Sequence, residues 1–100
     1  MLFKKFNPEV YRKDFVVLSK KIAGKLPIYF DNACMTLRPK QVVDKVNEYY
    51  NEYPGCHGRS GHKFGARVTT EVDAARRKVQ KFLGAKSKDE IIFTKNAPEA

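Results

Sequence analysis

The feature that most limits the fold is a surplus of apolar helix faces over sheet to cover them. Val68, Val72, Ala75, Val79 and Phe82 recur at three- and four-residue steps, the spacing of one helix face over 67–83, and Gly84 suits its C-terminal stop. Pro39 opens a second pattern over 39–53, in which Val42, Val46, Tyr49 and Tyr53 share a face that Val43 and Tyr50 widen. Asn7-Pro8-Glu9 is a third helix start, with a cap residue, proline in the first turn and an acid at the positive dipole end. Tyr11, Phe15, Leu18 and Ile22 line one face if that helix runs far enough, and Gly24 and Pro27 end it. Only two apolar stretches read as extended, Ile28-Tyr29-Phe30 and Ile91-Ile92-Phe93-Thr94. Two short strands make no sheet able to cover three helices. The chain therefore reads as mostly α, with one or two short strands, and as a piece of an α/β protein whose sheet lies mostly downstream.

Composition removes several function classes. The net charge is +9, but the lysines and arginines are spread singly or in pairs, as at Lys4-Lys5, Lys20-Lys21 and Arg76-Arg77. No recognition-helix, RNP-type or zinc-finger pattern accompanies them, so a basic surface is expected and no nucleic-acid partner. No apolar run approaches the ~20 residues of a membrane span, and residues 1–15 carry too many charges for a secretory signal. Two cysteines, Cys34 and Cys56, make no disulfide framework, and a reducing cytoplasm is the expected compartment. Cys34, Cys56, His57 and His62 match no common zinc spacing, and no metal is expected.

Three landmarks carry a resemblance. "YFDNACMT" over 29–36 is similar to the Y-L-D-N-A-A-T-T loop of cysteine desulfurases. "CHGRSGH" over 56–62, followed by a long amphipathic helix, resembles that family's H-R-G-x-H loop. "DEIIFTKNAPEA" over 89–100 resembles E-E-I-I-F-T-x-G-T-T-E-A. Three motifs in order, at family spacing, cover about residues 14–100. The family belongs to the class V aminotransferase group of pyridoxal-phosphate enzymes, of fold type I. The resemblance implies an N-terminal helical arm over 1–27, a loop over 28–36, a helix over 39–53, a glycine-rich loop over 54–65, a helix over 67–83, and a strand with a phosphate turn over 90–100. It also implies that the chain is the N-terminal segment of a longer enzyme, whose large domain begins with the last strand.

The resemblance assigns site residues with care. "SGHK" over 60–63 is similar to the family's cofactor-lysine motif. That motif follows an apolar strand and lies beyond the phosphate turn, whereas Lys63 follows PGCHGR and precedes it. Lys63 is therefore not taken as the cofactor lysine. No catalytic residue is expected within the chain: the Schiff-base lysine, the aspartate facing the pyridinium nitrogen and the mobile cysteine should follow Ala100. Ala33, Cys34, Arg59 and His62 are the substrate-proximal candidates. Arg59 and His62 keep the family's R-x-x-H spacing, either near a substrate carboxylate or bonded to loop carbonyls. Gly58 stands where the family has its first histidine. Cys34 replaces a small alanine and reads as a small buried residue. Asp31 and Asn32 shape their loop and move no proton. Asn96, Ala97 and Glu99 are the phosphate-turn candidates through backbone groups, with the N–H groups of Ala97, Glu99 and Ala100 as donors. Asn96-Ala97-Pro98 departs from the family's G-T-T or G-A-T; proline removes one donor, and the threonine hydroxyl is missing.

The expected activity is that of a cysteine desulfurase of the iron–sulfur-assembly type. Pyridoxal 5′-phosphate would serve as electron sink, L-cysteine as substrate, and sulfur would leave as an enzyme persulfide with release of alanine. A homodimer and a sulfur-accepting or scaffold protein are the partners implied. These 100 residues alone should show no turnover. A selenocysteine lyase or epimerase-like relative, and a non-enzymatic interaction module of 100 residues, are the alternatives left open.

Overall fold

The structure, a computed structural model, describes residues 5–100. They divide into two compact units, one ending at Glu48 and one running from Tyr49 to Ala100, with the division inside a helix.

The first unit starts with α1, Pro8–Arg12. Asn7 caps it, its side chain accepting from the Glu9 N–H at 3.1 Å. The longer helix suggested by Tyr11, Phe15, Leu18 and Ile22 does not form. Arg12 is the physical reason: its guanidinium donates to the carbonyls of Leu18 at 3.2 Å and Pro27 at 2.8 Å. A straight helix would carry residue 18 roughly 9 Å along the axis from residue 12. Instead the chain folds back through a 3₁₀ turn at Val16–Ser19. It then makes a tight reversal in which Ile22 and Lys25 exchange both backbone hydrogen bonds, at 2.8 and 3.1 Å. Ala23 and Gly24 sit at φ 49° and 79° there, the left-handed pair that such a two-residue reversal requires.

Helix α2 is Lys40–Glu52, one residue inside the expected span at each end. The Lys40 N–H donates to the Asp14 carbonyl at 2.6 Å, fastening its start within the first unit. Among the described residues of that unit none is buried.

The second unit is organised by α3, Lys63–Leu83. It begins four residues before the expected Arg67, because His62 supplies the cap: its Nδ1 accepts from the Gly65 N–H at 3.3 Å. Gly84, at φ 70°, ends the helix, and the Ala85 N–H returns to the Gln80 carbonyl at 3.0 Å. Ser87 caps a short 3₁₀ turn at Lys88–Glu90, which packs on α3. Tyr53, Val68 and Ile91, exposed by 2%, 7% and 8%, form the buried hydrophobic core, and all three belong to this unit.

The expected strands are corrected. Among the described residues there is no strand at 28–30 or 91–94; both are irregular chain. Strand structure needs a neighbour to take its N–H and C=O groups, and neither segment has one. Of residues 91–94 only Ile91 is buried, and Ile92 stands 81% exposed.

Candidate functional site

Three segments hold the candidate residues. In the first unit, Ala33 and Cys34 lie in a tight turn built on one carbonyl. Asp31 C=O accepts from Cys34 N–H at 3.2 Å, from Met35 N–H at 3.0 Å and from the Tyr29 hydroxyl at 3.2 Å. The Tyr29 hydroxyl also contacts the Met35 carbonyl, and the Thr36 hydroxyl reaches Asn32 C=O at 3.3 Å. Asp31 and Asn32 thus act on the loop through backbone carbonyls. Cys34 is exposed, not buried as expected. The turn is too short to enclose a side chain, and no buried core lies among the described residues of this unit.

The second segment, 54–62, is bound down at three places, once to the end of α2 and twice to the start of α3. The Tyr49 hydroxyl donates to Gly55 C=O at 3.1 Å. The Gly58 N–H donates to Thr69 Oγ1 at 3.0 Å, and that hydroxyl donates to Gly65 C=O at 2.9 Å. His62 supplies the cap already described. Two glycines make the contact close enough. A Cβ on Gly65 would lie 2.3 Å from Ser60 Cβ and 2.6 Å from Ser60 O, and one on Gly55 would lie 3.0 Å from Gly65 N.

This anchoring has a chemical consequence. With Nδ1 accepting from Gly65, the neutral His62 imidazole carries its proton on Nε2. Arg59 and His62 are both exposed, so the loop offers a guanidinium and an imidazole N–H, two donors suited to a carboxylate. The hydrogen bond seen for His62 goes to a helix N–H, not to a loop carbonyl. Lys63 is the first residue of α3.

Sequence patterns overlooked two ion pairs of this unit. Arg67 lies 3.9 Å over the Tyr53 ring and pairs with Glu52 at 3.0 Å. Lys88 pairs with Asp73 at 3.0 Å. That hydrogen bond, with the charges of Lys88, Arg77 and His57, holds the Asp73 carboxyl below its ordinary value against the opposing effect of burial. Gly65, read as part of the glycine-rich loop, gave no sign of its place inside α3, where the backbone approach is close.

The third segment is the turn at 95–100, closed on itself. Asn96 Oδ1 accepts from the Glu99 N–H at 3.1 Å, and Asn96 C=O accepts from the same group at 3.2 Å. The Ala100 N–H donates to Ala97 C=O at 3.1 Å. The Glu99 carboxylate accepts from Lys95 N–H at 2.6 Å. Two of the three donors expected for a phosphate are therefore engaged inside the turn, and a carboxylate is folded against it. As arranged, these residues do not fit a phosphate group.

Comparison with known proteins is consistent in direction. The family profile for aminotransferase class-V matches residues 28–100. A probable cysteine desulfurase of Streptomyces coelicolor is 41% identical over 95 residues, 94% of this chain and 23% of that protein. One from Borreliella burgdorferi is 43% identical over 83 residues, 83% of this chain and 20% of that protein. A cysteine desulfurase of Synechococcus elongatus is 35% identical over 95 residues, 95% of this chain and 15% of that protein. The chain thus spans less than a quarter of these relatives, at 23%, 20% and 15% of their lengths.

Proposed function

Because the chain belongs to the class-V aminotransferase family, we propose that it forms the N-terminal part of a cysteine desulfurase. The carrying observation is that relatives of that name align with 94% and 83% of the chain at 41% and 43% identity. The proposed reaction removes sulfur from L-cysteine as an enzyme persulfide for iron–sulfur assembly and releases alanine. The parent is a cytoplasmic homodimer of fold type I that passes sulfur to an acceptor or scaffold protein. Pyridoxal 5′-phosphate is the cofactor the family implies, supplying an electron sink when bound.

This chain's own part is binding and positioning. The loop 54–62 is held to α2 by Tyr49 and to α3 by Thr69 and His62, so Arg59 is carried on an anchored segment rather than a free one. Its guanidinium suits the carboxylate of an amino-acid substrate, in a two-bond geometry that lysine would not reproduce. The nucleophile and the proton-transferring groups belong to the remainder of the parent.

The test is to express the parent protein, supply L-cysteine with a thiol reductant, and quantify sulfide and alanine. Equimolar sulfide and alanine are expected. Turnover of selenocysteine alone, or no release from either amino acid, would overturn the assignment.

A further inference from the structure

We infer that the turn at 95–100 is a self-capped structural turn that leaves a cofactor phosphate only the Ala97 N–H, and that the side chains of Asn96 and Pro98 are what withhold the other first-turn donors. The inference rests on the family reading only for the name of the anion.

A helix start receives an anion through N–H groups in its first turn that lack intrahelical partners. With Asn96 at the cap, those groups belong to Ala97, residue 98 and Glu99. Residue 98 is proline and has none. The Glu99 N–H is taken by Asn96 Oδ1 at 3.1 Å, so the carboxamide oxygen occupies the place an anion oxygen would take. The Ala100 N–H adds nothing. It bonds Ala97 C=O at 3.1 Å here, and in a regular α-turn the same group would bond Asn96 C=O.

Charge acts in the same direction. The Glu99 carboxylate folds back to the Lys95 N–H at 2.6 Å, close to the layout of a capping box in which side chains at both ends of a first turn satisfy its donors. A phosphate approaching the turn meets one negative charge and one preformed acceptor. It must displace the Asn96 carboxamide before gaining a single hydrogen bond at Glu99. A cofactor phosphate in the parent therefore gains at most the Ala97 N–H from this turn and depends on residues outside it for the rest of its hold.

The experiment compares the parent protein with its Asn96→Gly/Pro98→Ala variant, which removes the internal acceptor and restores an N–H. Amide hydrogen exchange of the peptide covering 95–100 is followed with and without saturating inorganic phosphate. The wild type should show no change, and the variant should show exchange slowed by about threefold to tenfold. Protection in the wild type overturns the inference, and so does a variant that phosphate leaves unprotected. Cofactor absorbance, recorded in parallel with pyridoxal phosphate, reads the enzyme assignment separately. Its absence would sink that assignment without altering the exchange result.

Discussion

Gly65 and Ser60 approach so closely that a methyl group on the glycine would lie 2.6 Å from the serine carbonyl oxygen. Gly65→Ala tests what this approach is worth. Alanine gains about 1 kcal/mol of helix propensity over glycine, while forcing extra atoms into a packed site costs about 1–3 kcal/mol. The obstacle is the Ser60 Cβ and backbone oxygen rather than the end of a flexible side chain, so the steric cost should win, with a net loss of up to about 2 kcal/mol. Gly61 has open space around its Cβ position, and Gly61→Ala should stay within about 0.5 kcal/mol. Urea unfolding of the parent protein checks both.

Tyr53 and Arg67 should separate sharply. Tyr53 is 2% exposed, and Tyr53→Ala should cost about 3–5 kcal/mol, as for other large aromatic truncations. The Arg67 side chain is 43% exposed, so its place over the ring and its pairing with Glu52 should together contribute less than about 2 kcal/mol. Equal losses for Tyr53→Ala and Arg67→Met would contradict the burial-dominated view.

Acid should loosen the contact between α3 and Lys88–Glu90. The Asp73 carboxyl is depressed in the folded chain by its hydrogen bond to Lys88. A depressed carboxyl stabilises the fold above its unfolded value, and that contribution fades as pH falls through the folded one. The loss therefore belongs below pH ~4. Asp73→Asn should flatten this acid limb of the stability–pH curve while leaving the slope near neutrality unchanged.

Arg59→Ala should impair cysteine turnover in the parent more than Lys63→Ala does. Lys63 opens a helix, whereas Arg59 is exposed on the anchored loop. Cofactor absorbance should survive Lys63→Ala. Its disappearance would mean that Lys63 holds the cofactor and that the loop has been misassigned.

The isolated chain of residues 1–100 should self-associate. Phe30, Phe82, Ile28 and Ile92 are 93%, 88%, 81% and 81% exposed, far more apolar surface than a soluble monomer normally leaves uncovered. Sedimentation should show concentration-dependent mass together with dye binding to apolar surface. A monomer with a sharp, concentration-independent transition would contradict this.

Helical periodicity was legible wherever the chain could satisfy it locally. The stripe at Val42, Val46 and Tyr49 falls on α2, and that at Val68, Val72 and Val79 falls on α3. It failed at Tyr11–Ile22, where one long-range contact, Arg12 to Pro27, outweighs the pattern. It failed again at Ile91–Thr94, since strand structure depends on a partner that local sequence does not specify. At the candidate site, motif spacing drew attention to Arg59 and His62 but not to Thr69, Gly65 or Tyr49, which hold the loop in place. Those contacts join residues five to eleven apart through single hydroxyl groups or missing side chains, and no periodic pattern encodes them.

The placement of Ile91 has a bearing on biosynthesis. The second unit's core takes Tyr53, Val68 and Ile91 from three widely spaced points in the chain. A ribosome delivers them in that order, and α3 is complete before Ile91 arrives. Until then the stretch of α3 against which Lys88–Glu90 packs lacks that cover, and a nascent chain paused between Leu83 and Ile91 presents it to whatever waits at the tunnel exit. The Gly84 reversal returns the chain towards α3 at once, keeping this interval to a few residues of synthesis.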